Sequence, residues 1–208
     1  MKVISTHLGE NMNELGNKTL SVTEAIQSRR TIFNFKLEKP AREEIEEVLA
    51  FGIWAPNHRL TEPWRFTIIG EKKKLILAGR YREIQIEKVI EHANEQQQTS
   101  VGQKGYDKFM SKPVIVAVSY IKSGNNFEQR EDYAATCCAI QNIQLAAWSH
   151  GIGMQWSTGP ITREKETHTL IGINYEEEEI IGFLYTGYPA EIPKARRKLF
   201  SELFRVTA

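Results

Sequence analysis

Cysteine is almost absent from the sequence: the only two cysteines, Cys137 and Cys138, are adjacent. Adjacent cysteines lack the C-x-x-C spacing of a redox motif and the spacing of zinc ligands, and they cannot cross-link distant parts of a chain. This pattern excludes a fold held together by disulfides and favours a reducing compartment. We interpret the pair as small, weakly polar residues of a helix, in or near a core.

Long apolar runs and an excess of charge of one sign are also missing. No stretch has the length needed to span a bilayer, and no apolar run of the signal-peptide type lies near Met1. The 27 Lys and Arg residues nearly balance the 26 Asp and Glu residues, so no global field attracts nucleic acid or an anionic membrane. We therefore predict a cytoplasmic protein that binds neither.

Several motifs of enzymes are absent. The sequence has no P-loop, no G-x-G-x-x-G, no H-E-x-x-H, no G-x-S-x-G and no EF-hand loop. The five histidines lie far apart, and none has a carboxylate or another histidine at metal-ligand spacing: His7, His58, His92, His150 and His168. We therefore predict no metal site and name no catalytic acid, base or nucleophile of the protein.

The remaining composition is that of a globular domain. The chain has 208 residues, of which 41% are hydrophobic and 25% charged, enough for one domain with a substantial core. Residues 1–18 contain few periodic apolar residues, so we predict an N-terminal extension there. Residues 19–208 are predicted to form one domain with a basic C-terminal tail.

Apolar periodicity, caps and breakers predict interleaved helices and strands. The predicted helices are 21–28 with a capping box at Ser21, one after Pro40, 73–95, 132–150 and 162–171. The predicted strands are 64–69, 113–120, 152–156 and 180–185. We expect a polar connection at 96–100 and an acidic turn at 176–179. The order predicts an α+β or α/β fold with a largely antiparallel or mixed sheet.

The helix predicted at 132–150 is apolar on most sides and contains many small residues. A helix of this kind is buried in a core or in an interface between subunits. Because small residues permit close helix approach, we expect it to lie in the core of a dimer.

The segment Ser28-Arg29-Arg30-Thr31 has two interpretations. Two guanidiniums and a hydroxyl could clamp a phosphate, since arginine offers planar bidentate donors. Alternatively, the arginines could be a solvated charge pair at a helix end, where cations suit the helix dipole. Helix-end cations are common, so these residues alone favour the second interpretation.

Three further polar loops lie between the predicted elements. Together with residues 28–31 they offer guanidiniums for a phosphate, indole faces for a flat ring, and groups that hydrogen-bond to heteroatoms. These loops are 54–59 with 62–66, 155–160, and 194–198.

Three segments carry a resemblance to a known family. Residues 25–31, the Ala55-Pro56 pair with 63–66, and 182–189 occur in the order seen in the nitroreductase family of flavin enzymes, which the chain resembles over residues 20–200. The resemblance implies an α+β fold in which helices flank a mixed, mostly antiparallel sheet. It also implies an intertwined homodimer that binds FMN in two sites at the interface.

The resemblance further implies a function. Enzymes of this family use NAD(P)H to reduce FMN, which then passes hydride to a nitroaromatic, a quinone or a related acceptor in a ping-pong reaction. Two alternatives stay open: a flavin-dependent dehydrogenase or dehalogenase of the same fold, and a flavin-binding protein without turnover.

Candidate FMN-binding residues follow from the matching positions. For Asn57 and His58 the resemblance is to a compact branch of the family with an Ala-Pro-Asn/Asp-His loop, in which the histidine approaches the flavin. They are Arg29, Arg30, Thr31, Asn57, His58, Trp156, Ser157, Thr158, and either Arg196 or Arg197 for the phosphate. The chain departs from the family at Phe33, where relatives often have a further basic residue. It also departs at Leu60 and Glu62, in a loop where many relatives have asparagine before Gln-Pro-Trp.

Overall fold

The computed structural model describes residues 20–207. The predicted N-terminal extension, residues 1–18, lies outside this range. The helices are α1 (Val22–Ser28), α2 (Arg42–Ala50), α3 (Glu71–Glu87), α4 (Glu95–Met110), α5 (Asn126–Ser149) and α6 (Lys165–Ile171). The strands are β1 (Trp64–Ile68), β2 (Val114–Ile121), β3 (Gly153–Ser157) and β4 (Glu178–Gly187). Short 3₁₀ turns occupy Phe51–Trp54, His58–Leu60, Pro160–Arg163 and Phe200–Glu202.

The four strands form one sheet in the order β1-β2-β4-β3, and every neighbouring pair is antiparallel. A single parallel bridge, between Thr31 and Met154, extends this sheet beyond β3. The central strand β2 is a continuous apolar run with both faces buried, as expected for a strand covered on two sides. The α+β class and the mostly antiparallel sheet are therefore confirmed.

Helices cover both faces of the sheet. On one face, α2 and α5 pack against the strands through a core that includes Ile45, Ile140 and Leu184. On the other face, α3 and α4 enclose a second core around Leu77, Phe109 and Phe183. The result is three layers, helix on sheet on helix.

Local capping chemistry sets the ends of two helices that flank the site. The predicted capping box of α1 is present: Glu24 N donates to Ser21 Oγ, and Ser21 N donates to Glu24 Oε2. Helix α5 begins at Asn126, six residues before the predicted start, because Asn125 Oδ1 caps the backbone of Glu128. It ends at Ser149, one residue before the predicted end, and Gly151 follows with a φ of 73°.

Two sequence-based expectations were wrong. Residues 96–100 do not connect helices but form the first turns of α4, because Asn94 and Gln97 exchange side-chain-to-backbone bonds that nucleate a helix in this polar segment. Strand β4 begins at Glu178, within the predicted acidic turn, because backbone pairing with β2 extends to Ile121.

Two smaller expectations need correction as well. Helix α3 ends at Glu87 and not at residue 95, and helix α6 starts at Lys165, after a 3₁₀ turn, and not at residue 162. Trp64 is buried, and Trp54 is 80% exposed. Between residues 20 and 207, no helix combines the length and apolar character that crossing a membrane requires.

Candidate functional site

The arm, residues 28–36, runs from the end of α1 across the edge of the sheet. Thr31 forms the parallel bridge with Met154 of β3, and Ile32 N donates to Met154 O at 3.1 Å. The Ile32 side chain is fully buried. The arm therefore brings Thr31 beside the strand that ends in Trp156 and Ser157.

The start of the arm is fixed on α5. Ser28 Oγ accepts a hydrogen bond from Trp148 Nε1 at 2.9 Å and donates one to Glu24 O at 2.6 Å. Because both bonds of the hydroxyl are made within the protein, Ser28 positions the arm instead of offering a donor to a ligand.

Three arginines converge where the arm meets the C-terminal tail. Burial, then the positive charges of Arg197 and Arg30, lower the pKa of Arg29. Burial and Arg197 likewise lower the pKa of Arg30. Within residues 20–207 none of the three forms an ion pair with a carboxylate. An unpaired cluster of guanidiniums is a site for an anion.

The cluster includes Arg197 and not its neighbour Arg196. Arg197 is close enough to perturb both Arg29 and Arg30, whereas Arg196 perturbs neither. The helix-end interpretation of Arg30 is also partly right, because its Nη1 donates to Gln27 O at 2.7 Å, at the end of α1.

Strand β3 presents the next group of predicted residues. The Trp156 indole packs over Gly182 of β4, and its Nε1 faces Ile181 O at 3.4 Å. The Ser157 hydroxyl is hydrogen-bonded to Tyr185, whose pKa burial raises to about 12. Thr158 follows at the exposed end of the strand.

Gly182 is required for this arrangement. A Cβ there would overlap the Trp156 indole and lie 2.9 Å from Ser157 O. We expect Gly182→Ala to destabilise the protein by about 1–3 kcal/mol, as overpacking does, and to displace Trp156. Thermal unfolding and tryptophan fluorescence measure both effects. The control is Gly79→Ala in α3, where a Cβ meets nothing within 4 Å and stability should rise slightly; equal effects of the two changes would contradict the prediction.

A basic cavity of about 460 Å³ opens beside the arm, lined by Phe33, Asn34, Phe35, Lys108, Ser111 and Lys112. Lys112 is only 3% exposed, and its Nζ donates to Phe33 O at 2.9 Å. Burial, then the charge of Lys108, lowers the pKa of Lys112. No carboxylate of residues 20–207 pairs with it, so its remaining donors are available to a ligand.

One lysine of this cavity lies near the partner of a predicted residue. Lys112 Nζ lies 5.5 Å from the ring centroid of Tyr185, the partner of Ser157. Gln155, which is opposite Tyr185 in the pairing of β3 with β4, has its Oε1 buried without a hydrogen-bond partner in the described chain. Sequence reasoning missed Lys108, Lys112 and Gln155, because nothing in their spacing separates them from ordinary helix-end and strand residues.

A second cavity, of about 310 Å³, contains the other predicted residues. It is lined by Pro56, Asn57, His58, Glu131, Ala134, Ala135 and Cys138. Asn57 Oδ1 accepts from Glu62 N at 3.0 Å and so fixes the loop, and His58 Nδ1 lies 3.0 Å from Glu131 Oε1. The next residues are strained: Arg59, Leu60 and Glu62 all have positive φ.

Within one chain the two groups of predicted residues are far apart. His58 contacts Glu131 near the start of α5, and Ser28 contacts Trp148 near its end. Seventeen residues of helix separate these contacts, about 25 Å at 1.5 Å per residue. The structure therefore joins the arginine cluster to β3 but does not join either of them to Asn57 and His58.

The described residues do not gather side chains that commonly bind metals. No group of three or more His, Cys, Asp or Glu side chains in residues 20–207 could hold a metal ion. His168, for example, is buried with Nδ1 at 2.8 Å from Glu164 O and Nε2 accepting from Ile180 N. This histidine is a core residue with both nitrogens satisfied.

Comparison with known proteins matches the profile of the Nitroreductase family to residues 26–188. The chain belongs to the Nitroreductase family. It is 32% identical over 174 residues to YfhC of Bacillus subtilis (strain 168), provisionally named an NAD(P)H nitroreductase, covering 83% of this chain and 87% of YfhC. The matched region spans the arm, both cavities and β4, so the family assignment includes the candidate site apart from the tail.

Solved structures of Nitroreductase-like proteins share the fold. A nitroreductase-like family protein from Bacillus cereus is 28% identical, with a TM-score of 0.76, and the match covers 91% of this chain and 97% of that one. A protein from Desulfovibrio desulfuricans, described as a nitroreductase in complex with FMN, is 20% identical with a TM-score of 0.69, covering 92% and 99% of the two chains. The second likeness concerns the fold alone.

Proposed function

We propose that the protein is an FMN-dependent oxidoreductase that uses NAD(P)H to reduce nitroaromatic, quinone or related acceptors by ping-pong hydride transfer. One observation carries the proposal: a chain of the Nitroreductase family holds three guanidiniums together, and no carboxylate of residues 20–207 pairs with them. The names of its relatives support the same activity, since YfhC is provisionally named an NAD(P)H nitroreductase and the Desulfovibrio structure contains FMN.

The residues of the site fit FMN. Arg29, Arg30 and Arg197 would bind the phosphate dianion. Lys112 would place a cation beside the polar edge of the flavin ring. Gln155 Oε1, which has no hydrogen-bond partner within residues 20–207, would place an acceptor there. The bound flavin supplies the hydride chemistry, and the protein supplies binding, orientation and electrostatics.

We further propose that the functional unit is a homodimer whose two sites are shared between subunits. The support is that Asn57 and His58 lie about 25 Å from the arginine cluster along α5, so a second copy packed antiparallel along α5 would bring the two groups together. Large apolar side chains that such a dimer could bury are exposed in the loop after α2, at the start of α5 and in the tail: Phe51, Ile53, Trp54, Leu60, Phe127, Leu199, Phe200, Leu203 and Phe204.

A visible spectrum tests the function directly. Purified protein is expected to bind FMN and to be yellow; anaerobic addition of NADH or NADPH should bleach the flavin band, and a quinone or nitroaromatic should restore it. A protein that takes up no FMN contradicts the proposal. Flavin that binds but is bleached by neither nucleotide would support the binding protein without turnover. Bleaching followed by reoxidation only with a halogenated substrate would support the dehalogenase.

Lys112 gives a test that separates function from stability. In Lys112→Met a buried cation without a counter-ion is replaced by an apolar chain of similar length, so the FMN-free protein should be at least as stable. The midpoint potential of bound FMN should fall by about 30–60 mV, because one charge-assisted bond of about 1.5–3 kcal/mol to the reduced form is lost. Lys108→Met, at an exposed lysine of the same cavity, should change the potential less. An unchanged midpoint potential in Lys112→Met would mean that the flavin ring does not lie beside Lys112.

A further inference from the structure

Two titratable side chains to which the proposed function gives no chemical role meet in the second cavity. His58 Nδ1 lies 3.0 Å from Glu131 Oε1, and the side chains are 52% and 30% exposed. Both line the cavity, together with Asn57 and Cys138. A ligand that enters this cavity therefore meets a histidine that is already oriented by a carboxylate.

The pair fixes the state of the imidazole ring. A carboxylate only accepts hydrogen bonds, so Nδ1 carries the proton that is shared with Glu131. This leaves Nε2 as the nitrogen that can exchange a proton, and it makes no hydrogen bond within residues 20–207. Such an arrangement, a histidine held by a carboxylate, is suited to moving one proton at a defined atom.

The two other acidic side chains near Glu131 on α5 are engaged elsewhere. On α5, Glu128 pairs with Arg59 at 2.9 Å, and Asp132 accepts from Thr61 Oγ1 at 2.7 Å. In the loop, the backbone of Glu62 is bonded to Asn57, and the Cys138 thiol lines the cavity wall. Glu131 is therefore the carboxylate that orients His58.

We propose that His58, positioned by Glu131, is the general acid that protonates the acceptor during its reduction. The inference rests on the proposed function and on the shared site. A quinone that receives a hydride becomes a hydroquinone anion, and one proton on its oxygen completes the two-electron reduction. That proton leaves Nε2 of the imidazolium, the electron pair of the N–H bond stays on Nε2, and Nδ1–H stays bonded to Glu131. Because the ring is half-exposed, solvent restores the proton.

Separate measurement of the two half-reactions tests this role. In stopped-flow experiments with 1,4-benzoquinone, His58→Gln should slow reoxidation of the reduced enzyme by about 100-fold, the scale of general acid catalysis. Reduction by NAD(P)H, measured per bound FMN, should stay within about twofold of the wild type. A solvent deuterium isotope effect on reoxidation should be present in the wild type and absent in His58→Gln. Equal slowing of both half-reactions per bound FMN would overturn the assignment.

The positioning role of Glu131 has its own control one turn away. Glu131→Gln should slow reoxidation by about 10-fold, whereas Glu128→Gln, which removes the carboxylate paired with Arg59, should leave it unchanged. The second readout needs no flavin: ¹⁵N chemical shifts of His58 in the FMN-free protein should report the Nδ1–H tautomer in the wild type and in Glu128→Gln. In Glu131→Gln that preference should be lost.

Failure of the general-acid role and failure of the proposed function would be distinguishable. If the wild type turns over while His58→Gln and Glu131→Gln match it, the role of His58 as general acid is refuted and the proposed function stands. If the wild type takes up no FMN, both are refuted. An unchanged His58 tautomer in Glu131→Gln would also overturn the positioning role, whatever the kinetics.

Discussion

Replacing Arg29 with alanine is expected to weaken FMN binding by about 10- to 100-fold, because one charge-assisted bond to the phosphate contributes about 1.5–3 kcal/mol. Arg197→Ala should weaken it by about 10-fold, since this guanidinium is exposed but lies close enough to perturb Arg29 and Arg30. Both variants should fold, because each substitution removes a charge from a cluster of like charges. Fluorescence titration of FMN-free protein with FMN measures the affinities.

The neighbouring arginine is the matched control. Arg196 differs from Arg197 by one position in the same exposed tail, and it perturbs neither arginine of the arm. Arg196→Ala should therefore bind FMN within about twofold of the wild type. Equal loss in Arg196→Ala and Arg197→Ala would mean that net charge of the tail, and not a defined contact, attracts the phosphate. Equal retention in all three variants would refute the phosphate site.

Local chemistry made much of the fold predictable. The capping box at Ser21, the apolar run of β2 and the glycine after α5 act over a few residues, and the structure has each where the sequence indicates. The failures have two causes, a local cap that was missed and a tertiary pairing that no local pattern indicates. The polar sequence at the start of α4 is typical of a loop, yet a cap at Asn94 begins a helix there. The acidic sequence at the start of β4 is typical of a turn, but it forms a strand because it pairs with β2.

The candidate site also contains residues with a local sequence pattern and residues without one. Residues 29–31 could be proposed from the sequence because adjacent arginines before a threonine form a short pattern. The choice of Arg197 over Arg196 depends on how the tail folds back. Lys112 and Gln155 carry no local signal, because burial alone gives them significance. The pairing of His58 with Glu131 joins residues that are 73 positions apart, so no spacing rule could predict it.

Mixed dimers give the sharpest test of the shared site. We expect a heterodimer of one Arg29→Ala chain and one His58→Gln chain to bind about one FMN and to turn over at the wild-type rate per bound FMN. The reason is geometric: the intact arm of the His58→Gln chain would face the intact His58 of the Arg29→Ala chain. Differently tagged chains, co-expressed and purified through both tags, provide the sample. FMN content and turnover per FMN are the measurements.

The reciprocal combination must give the opposite result. If one chain carries both substitutions and its partner is wild type, the remaining FMN should lie in the intact arm opposite Gln at position 58, and turnover per FMN should fall by about 100-fold. A site built within a single chain reverses both outcomes: the first heterodimer would be slow and the second fast. Because the two heterodimers contain the same substitutions in the same number, differences in folding or in total charge cannot produce this reversal. The separation of about 25 Å along α5 between Glu131 and Trp148 therefore predicts which chain completes each site.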